Sequence, residues 1–566
     1  MRNIRWQLLI AVGGLLLVVG LLVGQSPNTE IVSSQPAVGG VYIEALVGQI
    51  QRLNPILDVY NQVDRDIDRL IFSGLIRFDD RGIPVPDLAQ WTVTADATLY
   101  TVTIRENAVW HDGEPVTSDD IIYTYSKFQD EDYPGPLDLH DLWTQVNIIR
   151  LDDRRVQFQL PEPFAPFLDY LSVGLLPDHL LRGVSATDLI DHPFNLQPIG
   201  TGPFRFDRFL VQDEQITGVS LVAFDDYFAQ RPYLERVEFR TYTDSTASLT
   251  AFLDGEVQGI ANVDEAILPQ ILASTELNLH TARLPNLGII FLNTQNPGKD
   301  FLSVKQFRQA LQFAINRQWI IDKALSGQGL IPIGPVLPGT WSFAENLQPV
   351  PFDPQRAANI LETLGWILPA GASPGTPEYQ RSKDEQALSL TLLYEENSLD
   401  TMIAEMIKES WEAIGIRVEL RSVDSDTMIS AYLEPREYEA ALTHINLMRY
   451  PDPDPYPFWH DSQVETGQNY SGFDDRNISI WLEQARITPD FSRRAELYRS
   501  FQYRFQDQAP SLLLYYDVYN YAIDAQIQGV SIGPLFDPSD RFNSIENWHL
   551  IARRNLGTQI TITDEP

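Results

Sequence analysis

Carboxylate pairs and histidines are the side chains of this sequence whose types could do chemistry. Adjacent acids such as Asp225-Asp226 and Asp474-Asp475 would suit general acid–base work in a hydrolase. With 77 acidic residues in a chain of 566, about ten adjacent acidic pairs are expected by chance alone. The histidines include no i,i+4 pair of the metal-binding type, and no Ser-His-Asp pattern is visible. The sequence therefore favours a protein without catalysis, resident metal or cofactor.

A proline-rich aromatic segment, RYPDPDPYPFWHD at residues 449–461, has the composition of a binding surface. Its alternating prolines deny backbone donors and favour a stiff, extended loop. Such a loop presents its side chains without an ordering cost on binding. Aromatic rings cover apolar or sugar faces, while their hydroxyl and indole groups add directional hydrogen bonds. The candidate ligand contacts are Arg449, Tyr450, Asp452, Asp454, Tyr456 and Trp459, and the alternative is a loop packed on its own lobe.

An unbroken apolar run from Leu8 to Gly24 follows Arg2 and Arg5 near the start of the sequence. A basic flank before an apolar run directs the following chain across a membrane, so residues 1–25 are predicted to be an export signal or a membrane anchor. The run is longer than the usual core of a cleaved signal and no A-x-A site follows it, which favours the anchor. The small, polar residues 26–40 are predicted to be a flexible stalk below one large soluble body outside the cytoplasm.

The composition restricts the classes of partner and of site. The chain has no cysteine, which excludes disulfides, thiolate metal sites, a cysteine nucleophile and a lipid-modified cysteine anchor. A formal net charge of -36 disfavours nucleic acid and anionic lipid as partners. Hydrophobic residues make up 44% of the chain and aromatic residues 11%. These fractions indicate a well-packed globular protein, and its length suggests two or three domains.

Helix and strand patterns are interspersed along the sequence and predict an α/β architecture. Several segments alternate apolar and polar residues as half-buried strands do, and others carry the end signals of helices. One helix signal is a capping-box pattern formed by Ser303 and Gln306, and another is Pro354 at a first helical position. The predicted elements are the strands Tyr100–Arg105, Val156–Leu160, Val237–Thr241 and Ile416–Leu420, and the helices beginning at Val304, Pro354 and Thr401.

Seven short motifs follow one another in a fixed order. They are RGIPVPDLA from Arg81, VWHDG from Val109, IGTGPF from Ile199, FLNT from Phe291, VKQFRQALQFAINR from Val304, PDPDPYPFWHD from Pro451 and NYSGF from Asn469. Together these motifs resemble the family 5 extracellular solute-binding proteins, the peptide- and nickel-binding components of ABC importers. The resemblance spans roughly residues 41–522, which is nearly the whole predicted body.

The resemblance implies an α/β fold of the type II periplasmic-binding class, in which two lobes are joined by two crossing strands. An extra subdomain is expected on the first lobe, and the crossings are expected near Ile289–Thr294 and Leu512–Asp517. The implied boundaries are residues 41–79, 200–292 and 514–551 for lobe I, 80–199 for the extra subdomain, 293–513 for lobe II and 552–566 for a C-terminal tail.

The resemblance also implies a receptor, not an enzyme. Such a receptor captures an oligopeptide-like solute between its lobes and delivers it to the permease subunits of an ABC transporter in the membrane. An oligosaccharide or a nickel complex as the solute, and a sensor role without a transporter, are the alternatives. His444 and His460 flank the proline-rich segment, but two histidines without further ligands are a poor nickel site. The protein is expected to be a monomer with no nucleic-acid partner.

One charge departs from the pattern of peptide binders in this family. They commonly carry an aspartate just before the proline run, which holds the free amino terminus of a peptide, and Arg449 stands at that position here. At about 4 Å and an effective dielectric of about 20, the reversed charge turns roughly 4 kcal/mol of attraction to an ammonium into repulsion. Either Asp452 or Asp454 then supplies the negative charge, or the solute lacks a free amine. A solvent-facing Arg449 is the further alternative.

Three residues outside the proline-rich segment are also candidate ligand contacts by their position in such proteins. Trp341, in the stretch GPVLPGTW, is expected either to reach the cleft or to pack in the core. Asn293 and Thr294, at the predicted lobe crossing, offer short polar groups either to a ligand backbone or to the hinge itself.

Overall fold

The computed structural model describes residue 36 and residues 38–550. The predicted signal or anchor at residues 1–25, most of the predicted stalk at 26–40 and the tail at 552–566 lie outside the described residues. Among the helices that are described, none combines the length and the apolar composition needed to cross a bilayer.

Strands and helices are interspersed along the described chain. The strands are β1 Val41–Val47, β2 Ile76–Phe78, β3 Pro84–Pro86, β4 Ala89–Val93, β5 Leu99–Ile104, β6 Asn147–Arg150, β7 Arg155–Gln159, β8 Phe204–Gln212, β9 Gln215–Ala223, β10 Arg236–Tyr242, β11 Gly259–Ile260, β12 Leu277–Leu292, β13 Gly329–Leu330, β14 Ser382–Lys383, β15 Gln386–Ala387, β16 Ser389–Glu395, β17 Arg417–Val423, β18 Ala440–Asn446, β19 Ser511–Asp524, β20 Ile527–Gln528 and β21 His549–Leu550.

The α-helices are α1 Gln62–Ile71, α2 Ser118–Ser126, α3 Leu137–Thr144, α4 Asp178–Leu181, α5 Ala186–Leu189, α6 Ser245–Leu253, α7 Leu268–Ala273, α8 Lys305–Phe313, α9 Arg317–Ala324, α10 Pro354–Thr363, α11 Ser398–Glu412, α12 Ser425–Thr427, α13 Tyr456–Trp459, α14 Gln463–Thr466, α15 Arg476–Arg486 and α16 Phe491–Gln508. Short 3-10 helices cover Asp58–Tyr60, Ala165–Leu171, Pro193–Leu196, Asp300–Ser303, Pro538–Phe542 and Ile545–Asn547, and a π-helical turn covers Met428–Leu433.

An 11-stranded sheet runs through the molecule in the order β17-β16-β18-β12-β19-β11-β1-β10-β9-β8, with β13 paired to β19. Parallel pairs lie on both sides of the central antiparallel pair β12–β19: β1 with β10 and β11, and β16 with β17 and β18. A separate four-stranded antiparallel sheet has the order β4-β5-β7-β6. A mixed sheet with interspersed helices confirms the predicted α/β class.

The buried side chains divide the described chain into two bodies. Residues 41–282 and 519–550 share two core clusters, and we call them the N-terminal body. Residues 287–516 share two others, and we call them the C-terminal body. The four-stranded sheet packs within the first of these cores, through residues such as Tyr100, Val102 and Phe158. The lobe and subdomain boundaries given above stay a prediction.

The strands β12 and β19 belong to both bodies and pass side by side between them. Their register shifts between Arg283 and Leu287 and again between Gly288 and Ile289. Pro285 lies in the first of these irregularities and cannot donate to the ladder, and such irregularities bend a strand locally. The predicted crossing segments fall in these two strands, except that β12 ends at Leu292, so Asn293 and Thr294 lie just beyond it.

Most of the predicted elements are confirmed with small shifts at their ends, but the helix predicted from Val304 is wrong in two respects. Ser303 does not cap it, because its hydroxyl donates to the carbonyl of Asp300 at 2.7 Å and closes the preceding 3-10 helix. The helix also ends at Phe313. The side chain of Asn316 accepts the N–H of Trp319 at 3.0 Å and starts a second helix there.

The proline-rich segment was predicted to be extended, and its second half is not. Residues Tyr456–Trp459 form a short helix with Pro457 in its first turn. A proline is tolerated there because the first N–H groups of a helix have no partner within the helix.

Candidate functional site

A cavity of about 360 Å³ lies where the two bodies meet, and this volume is within the range of small-molecule sites. The N-terminal body contributes α1, the 3-10 helix Asp58–Tyr60, the segment around Tyr170 and the turn at 536–540. The C-terminal body contributes the loop after β18, through Asn446, Met448, Arg449, Tyr450 and Pro451. A solute in this cavity would contact both bodies at once.

Helix α1 supplies a charged wall of the cavity. The side chain of Asn61 accepts the N–H of Val63 at 3.1 Å and fixes the start of the helix. The apolar side of α1 is buried in the N-terminal body, which fixes the rotation of the helix about its axis. Arg65, Asp68 and Arg69 are three and four residues apart, so they share one face, and all three line the cavity.

The two arginines of this face are held by their own body. Nε of Arg65 lies 3.0 Å from Oδ2 of Asp537, and Nη1 donates to the carbonyl of Asp58 at 2.9 Å. Nη2 of Arg69 lies 3.4 Å from Oδ1 of Asp540. Burial raises the pKa of Asp537, but the charges of Arg65 and Arg449 lower it further, so the net pKa is below the ordinary value. Both guanidinium groups therefore serve contacts with the 537–540 turn.

Asp68 differs from its neighbours because its charge has no counterpart. Its residue is 3% exposed, and neither carboxylate oxygen has a hydrogen-bond partner among residues 38–550. Burial, followed by the charges of Asp58 and Asp64, raises the pKa of Asp68 well above its usual range. The nearby backbone N–H of Asn54 lowers this pKa slightly, but it donates to the carbonyl of Arg52 at 3.1 Å. Burial also raises the pKa of Asp58. The N-terminal wall thus has an excess of buried acid.

Arg449 is the cation that the C-terminal body brings to the cavity. Its Nη2 lies 3.7 Å from Oδ1 of Asp58, across the boundary between the bodies. Its backbone has φ +75, a left-handed conformation that costs a non-glycine residue about 1–3 kcal/mol. The strain is held in place because the N–H of Arg449 donates to the carbonyl of Phe536 at 2.6 Å. The solvent-facing alternative for Arg449 is therefore not what the structure has.

Tyr450 also lines the cavity and contacts the opposite body. Its ring centroid lies 5.4 Å from that of Tyr170, with a 48° angle between the planes, which is a favourable separation for an aromatic pair. Of the predicted ligand contacts in the proline-rich segment, Arg449 and Tyr450 are thus the two that line the cavity, next to Pro451.

Asp452 and Asp454 were predicted as alternative sources of negative charge, and both are engaged by arginines of the C-terminal body. Oδ2 of Asp452 lies 2.8 Å from Nη2 of Arg494, and Oδ2 of Asp454 lies 2.6 Å from Nη2 of Arg486. Neither residue is part of the cavity wall described above. Their charges are balanced within the protein, so they are placed as structural ion pairs.

The two further aromatic residues of the segment pack within the C-terminal body. Tyr456 stacks on His460 with centroids 4.0 Å apart, and the guanidinium of Arg486 lies 3.9 Å from its ring. Trp459 is 2% exposed and packs against Phe505, with centroids 4.8 Å apart. A role for these two rings in ligand contact stays a prediction without support from their positions.

The three candidate contacts outside the segment also lie away from the cavity wall. Trp341 is 4% exposed and packs on Phe491, with centroids 5.0 Å apart. Nδ2 of Asn293 donates to the carbonyl of Tyr438 at 3.0 Å, and Oγ1 of Thr294 donates to the carbonyl of Ser471 at 2.9 Å. Trp341 packs in the core, and Asn293 and Thr294 bind backbone carbonyls of their own body, so ligand contact by these three residues stays a prediction.

The α1 wall was missed by sequence reasoning, although the sequence contains a signal for it. In QVDRDIDRLI, Asp64 and Asp68 are four residues apart and each follows directly after an apolar residue of the buried stripe, Val63 or Ile67. A carboxylate in that position lies on the edge of the buried face. In the structure Asp64 accepts the backbone N–H groups of Gln51 and Arg52, and of the two acids only Asp68 lines the cavity.

The histidines near the proline-rich segment are not arranged for a metal. Nε2 of His444 lies 2.8 Å from the hydroxyl of Tyr515, and Nε2 of His460 lies 3.1 Å from Oε1 of Glu483. Over the part of the chain that the structure describes, no three His, Asp or Glu side chains are grouped as metal ligands.

Comparisons with known proteins agree with this architecture. Residues 84–468 match the family model described as bacterial extracellular solute-binding proteins, family 5 Middle. The oligopeptide-binding protein AppA of Bacillus subtilis (strain 168) is 26% identical over 527 residues, covering 92% of this chain and 93% of that protein. The nickel-binding periplasmic protein of Escherichia coli (strain K12) is 26% identical over 486 residues, covering 82% of this chain and 86% of that protein. The solved structure of HbpA2 from Haemophilus parasuis superposes with a TM-score of 0.76 at 21% identity, over 88% of this chain and 98% of that one.

These findings confirm the fold and the resemblance inferred from the seven motifs. The family match covers well over half of the chain, and the relatives are solute-binding proteins, not enzymes. The fold is that of the type II periplasmic-binding class. The chain belongs to the bacterial extracellular solute-binding proteins of family 5.

Proposed function

We propose that this protein captures an oligopeptide-like solute between its two bodies, outside the cytoplasm, and delivers it to the permease subunits of an ABC transporter. The proposal includes tethering by the N-terminal apolar segment and a monomeric receptor. The observation that carries it is a cavity whose walls come from both bodies, with acid on one wall and Arg449 on the other. An oligopeptide carries both signs of charge at its termini, together with polar backbone amides and apolar side chains, which suits walls of mixed character.

Closure around a solute needs a hinge, and the paired strands β12 and β19 supply a suitable one. Their register irregularities lie at residues 283–289, where the strands pass from one body to the other. Small changes of backbone angles there would move the bodies without disturbing either core. The solute would then favour the closed arrangement by the contacts that it makes with both walls.

The names of the relatives support a peptide as the solute and leave nickel as the alternative. AppA of Bacillus subtilis is named as an oligopeptide-binding protein, and the Escherichia coli relative is named as a nickel-binding protein. The mixed charges of the cavity and the lack of a metal-ligand grouping in residues 38–550 favour the peptide over nickel.

We expect a random tripeptide library to raise the melting temperature of the full-length protein. A ligand that binds the folded state at about 100 times its Kd stabilises that state by about 2.7 kcal/mol. Thermal denaturation would be compared with a nickel–histidine complex and with an oligosaccharide mixture at the same concentrations. Mass spectrometry of solutes released from the purified protein would identify any cargo bound in the cell.

The outcomes separate the candidate functions. If only the nickel complex or only the oligosaccharides raise the melting temperature, that compound class is the solute instead of a peptide. If no mixture raises the melting temperature, solute capture is contradicted. Co-purification with permease subunits is expected for an importer component, and its absence in cells that take up the cargo would favour the sensor role.

A further inference from the structure

The buried acid of α1 has a geometry that its own body does not explain. Asp68 is 3% exposed and lines the cavity, yet both of its carboxylate oxygens are without a hydrogen-bond partner among residues 38–550. An ionised carboxylate in such a place carries a large desolvation cost unless a cation meets it. A buried carboxylate without a hydrogen-bond partner in the protein is therefore expected only where a bound molecule supplies that partner.

The two arginines of α1 are already engaged elsewhere. Arg65 lies 3.0 Å from Asp537 and Arg69 lies 3.4 Å from Asp540, so both helix arginines face the 537–540 turn. The charges that act most strongly on Asp68 are those of Asp58 and Asp64, which repel it. The surroundings thus raise the energy of an ionised Asp68 instead of lowering it.

Asp58 stands beside Asp68 and faces the same cavity. It is 6% exposed, and its Oδ1 has no hydrogen-bond partner in the described chain but lies 3.7 Å from Nη2 of Arg449. A single guanidinium at that distance is a weak counterpart for two buried acids. Asp58 is thus partly balanced by Arg449, whereas Asp68 has no cation of the described residues within ion-pair distance.

We propose that Asp68, with Asp58 beside it, binds an aliphatic ammonium group of the solute, and that this fixes the orientation of the solute with its cationic end on the N-terminal body. The inference deepens the proposed function and rests on it. An ammonium donates up to three hydrogen bonds and carries a compact charge, so it would satisfy carboxylate oxygens that have no other partner. Its source in an oligopeptide is either the free amino terminus or a lysine side chain.

The test compares three tripeptide libraries that differ only in where an ammonium stands. The first has free amino termini and no basic side chains, the second is the same library with acetylated amino termini, and the third is acetylated with lysine in the middle position. Equilibrium dialysis against the full-length protein, followed by mass spectrometry, measures how much of each is retained. We expect the protein to prefer the first or the third library to the second.

We expect Asp68→Asn to weaken binding of the preferred library by about 30-fold or more, which removes the preference. That fold-change corresponds to the lower end of the loss found when one partner of a buried charge pair is removed. Retention of the acetylated, lysine-free library should not change. The matched control is Asp254→Asn, which removes one exposed acid of the N-terminal body outside the cavity wall and should leave all three libraries unaffected. If D68N retains less of the first library, the bound ammonium is the free amino terminus. If D68N retains less of the third library, the bound ammonium is the lysine side chain.

Melting of the variants without peptide adds a readout that a purely structural role would not give. Because Asp58 and Asp64 repel Asp68, the D68N protein should melt no lower than the D254N protein. A much lower melting temperature for D68N would show that Asp68 serves the fold and would overturn the inference. Equal retention of all libraries by the unmodified protein, or an unchanged preference in D68N, would overturn it as well. Retention of no library would overturn the peptide cargo itself.

Discussion

Replacing Arg541 by methionine is expected to lower the free energy of unfolding by about 3–5 kcal/mol, because it leaves buried carboxylates without their cation. Arg541 is fully buried, with Nη2 2.5 Å from Oε1 of Glu44 and 2.8 Å from Oδ2 of Asp66. The hydroxyls of Tyr42 and Tyr521 donate to the other oxygen of Glu44, each at 2.7 Å. This network of ion pairs and hydrogen bonds connects β1, α1, β19 and the 3-10 helix Pro538–Phe542. Urea denaturation followed by circular dichroism would measure the loss.

The loss should grow as the pH rises. Burial raises the pKa of Glu44, against the lowering effect of Arg541. Without Arg541 this pKa would rise further above that of the unfolded chain. A carboxyl group whose pKa is higher in the folded than in the unfolded state stabilises the folded state at a pH below its unfolded pKa. This stabilisation is lost as the pH rises through the folded pKa. The deficit of R541M is therefore expected to be larger at pH 8 than at about pH 4 to 5, near the unfolded pKa of glutamate.

An exposed ion pair provides the control for this prediction. Arg493 lies 2.6 Å from Glu496, but both side chains are 61% exposed. Arg493→Met should change the free energy of unfolding by no more than about 0.5 kcal/mol. If R541M proved as stable as R493M at neutral pH, the buried network would not have the role assigned to it.

Local sequence patterns predicted much of the fold because they depend on neighbouring residues alone. The strand β10 and the helix begun by Pro354 follow directly from alternation and from an N-terminal proline. The helix begun at Val304 was predicted too long, because the break at Asn316 depends on a side chain competing for a backbone N–H. The outcome of such competition depends on tertiary packing, and the periodic spacing of apolar residues in the sequence does not reveal it.

The site was harder to predict because ion pairing depends on residues far apart in the sequence. Asp452 and Asp454 looked available as acids, but their partners Arg494 and Arg486 lie on two later helices. Arg449 was singled out because the family resemblance implies an acid at its position, and the structure places it in the cavity wall. The acid nearest to Arg449 is Asp58, in the 3-10 helix before α1, and no motif of the family resemblance includes Asp58 or Asp68. Only the fold brings these two segments to the same cavity.

A hydrogen bond from the backbone of Asp452 connects the proline-rich segment to the opposite body. The backbone N–H of Asp452 donates to Oδ2 of Asp169 at 2.8 Å, and Asp169 lies in the 3-10 helix Ala165–Leu171 of the N-terminal body. Burial, followed by the charge of Asp452, raises the pKa of Asp169 well above its usual range. Two buried acids therefore meet where the bodies touch, and Arg494 is the cation that faces both of them.

Replacing Arg494 by methionine is expected to destabilise the protein by about 3 kcal/mol or more and to loosen the contact between the bodies. Its Nη2 lies 2.8 Å from Oδ2 of Asp452, and its guanidinium lies 4.9 Å from the ring of Trp341. Methionine keeps much of the packing on that ring but leaves Asp452 and Asp169 to repel each other. Urea denaturation would give the stability, and small-angle scattering is expected to show a larger radius of gyration than for the unmodified protein.

A second substitution makes the prediction specific to charge. Asp169→Asn removes one of the two acids but keeps an oxygen that can accept the N–H of Asp452. The double variant R494M/D169N should therefore recover about 1 kcal/mol or more of the loss and return toward the compact radius, because residues in one ion-pair cluster are not additive. Strictly additive effects of the two substitutions would mean that the repulsion between Asp169 and Asp452 does not govern this contact. The contact between the bodies would then have to be maintained by other interactions, such as the hydrogen bond from the N–H of Trp341 to the carbonyl of Arg81.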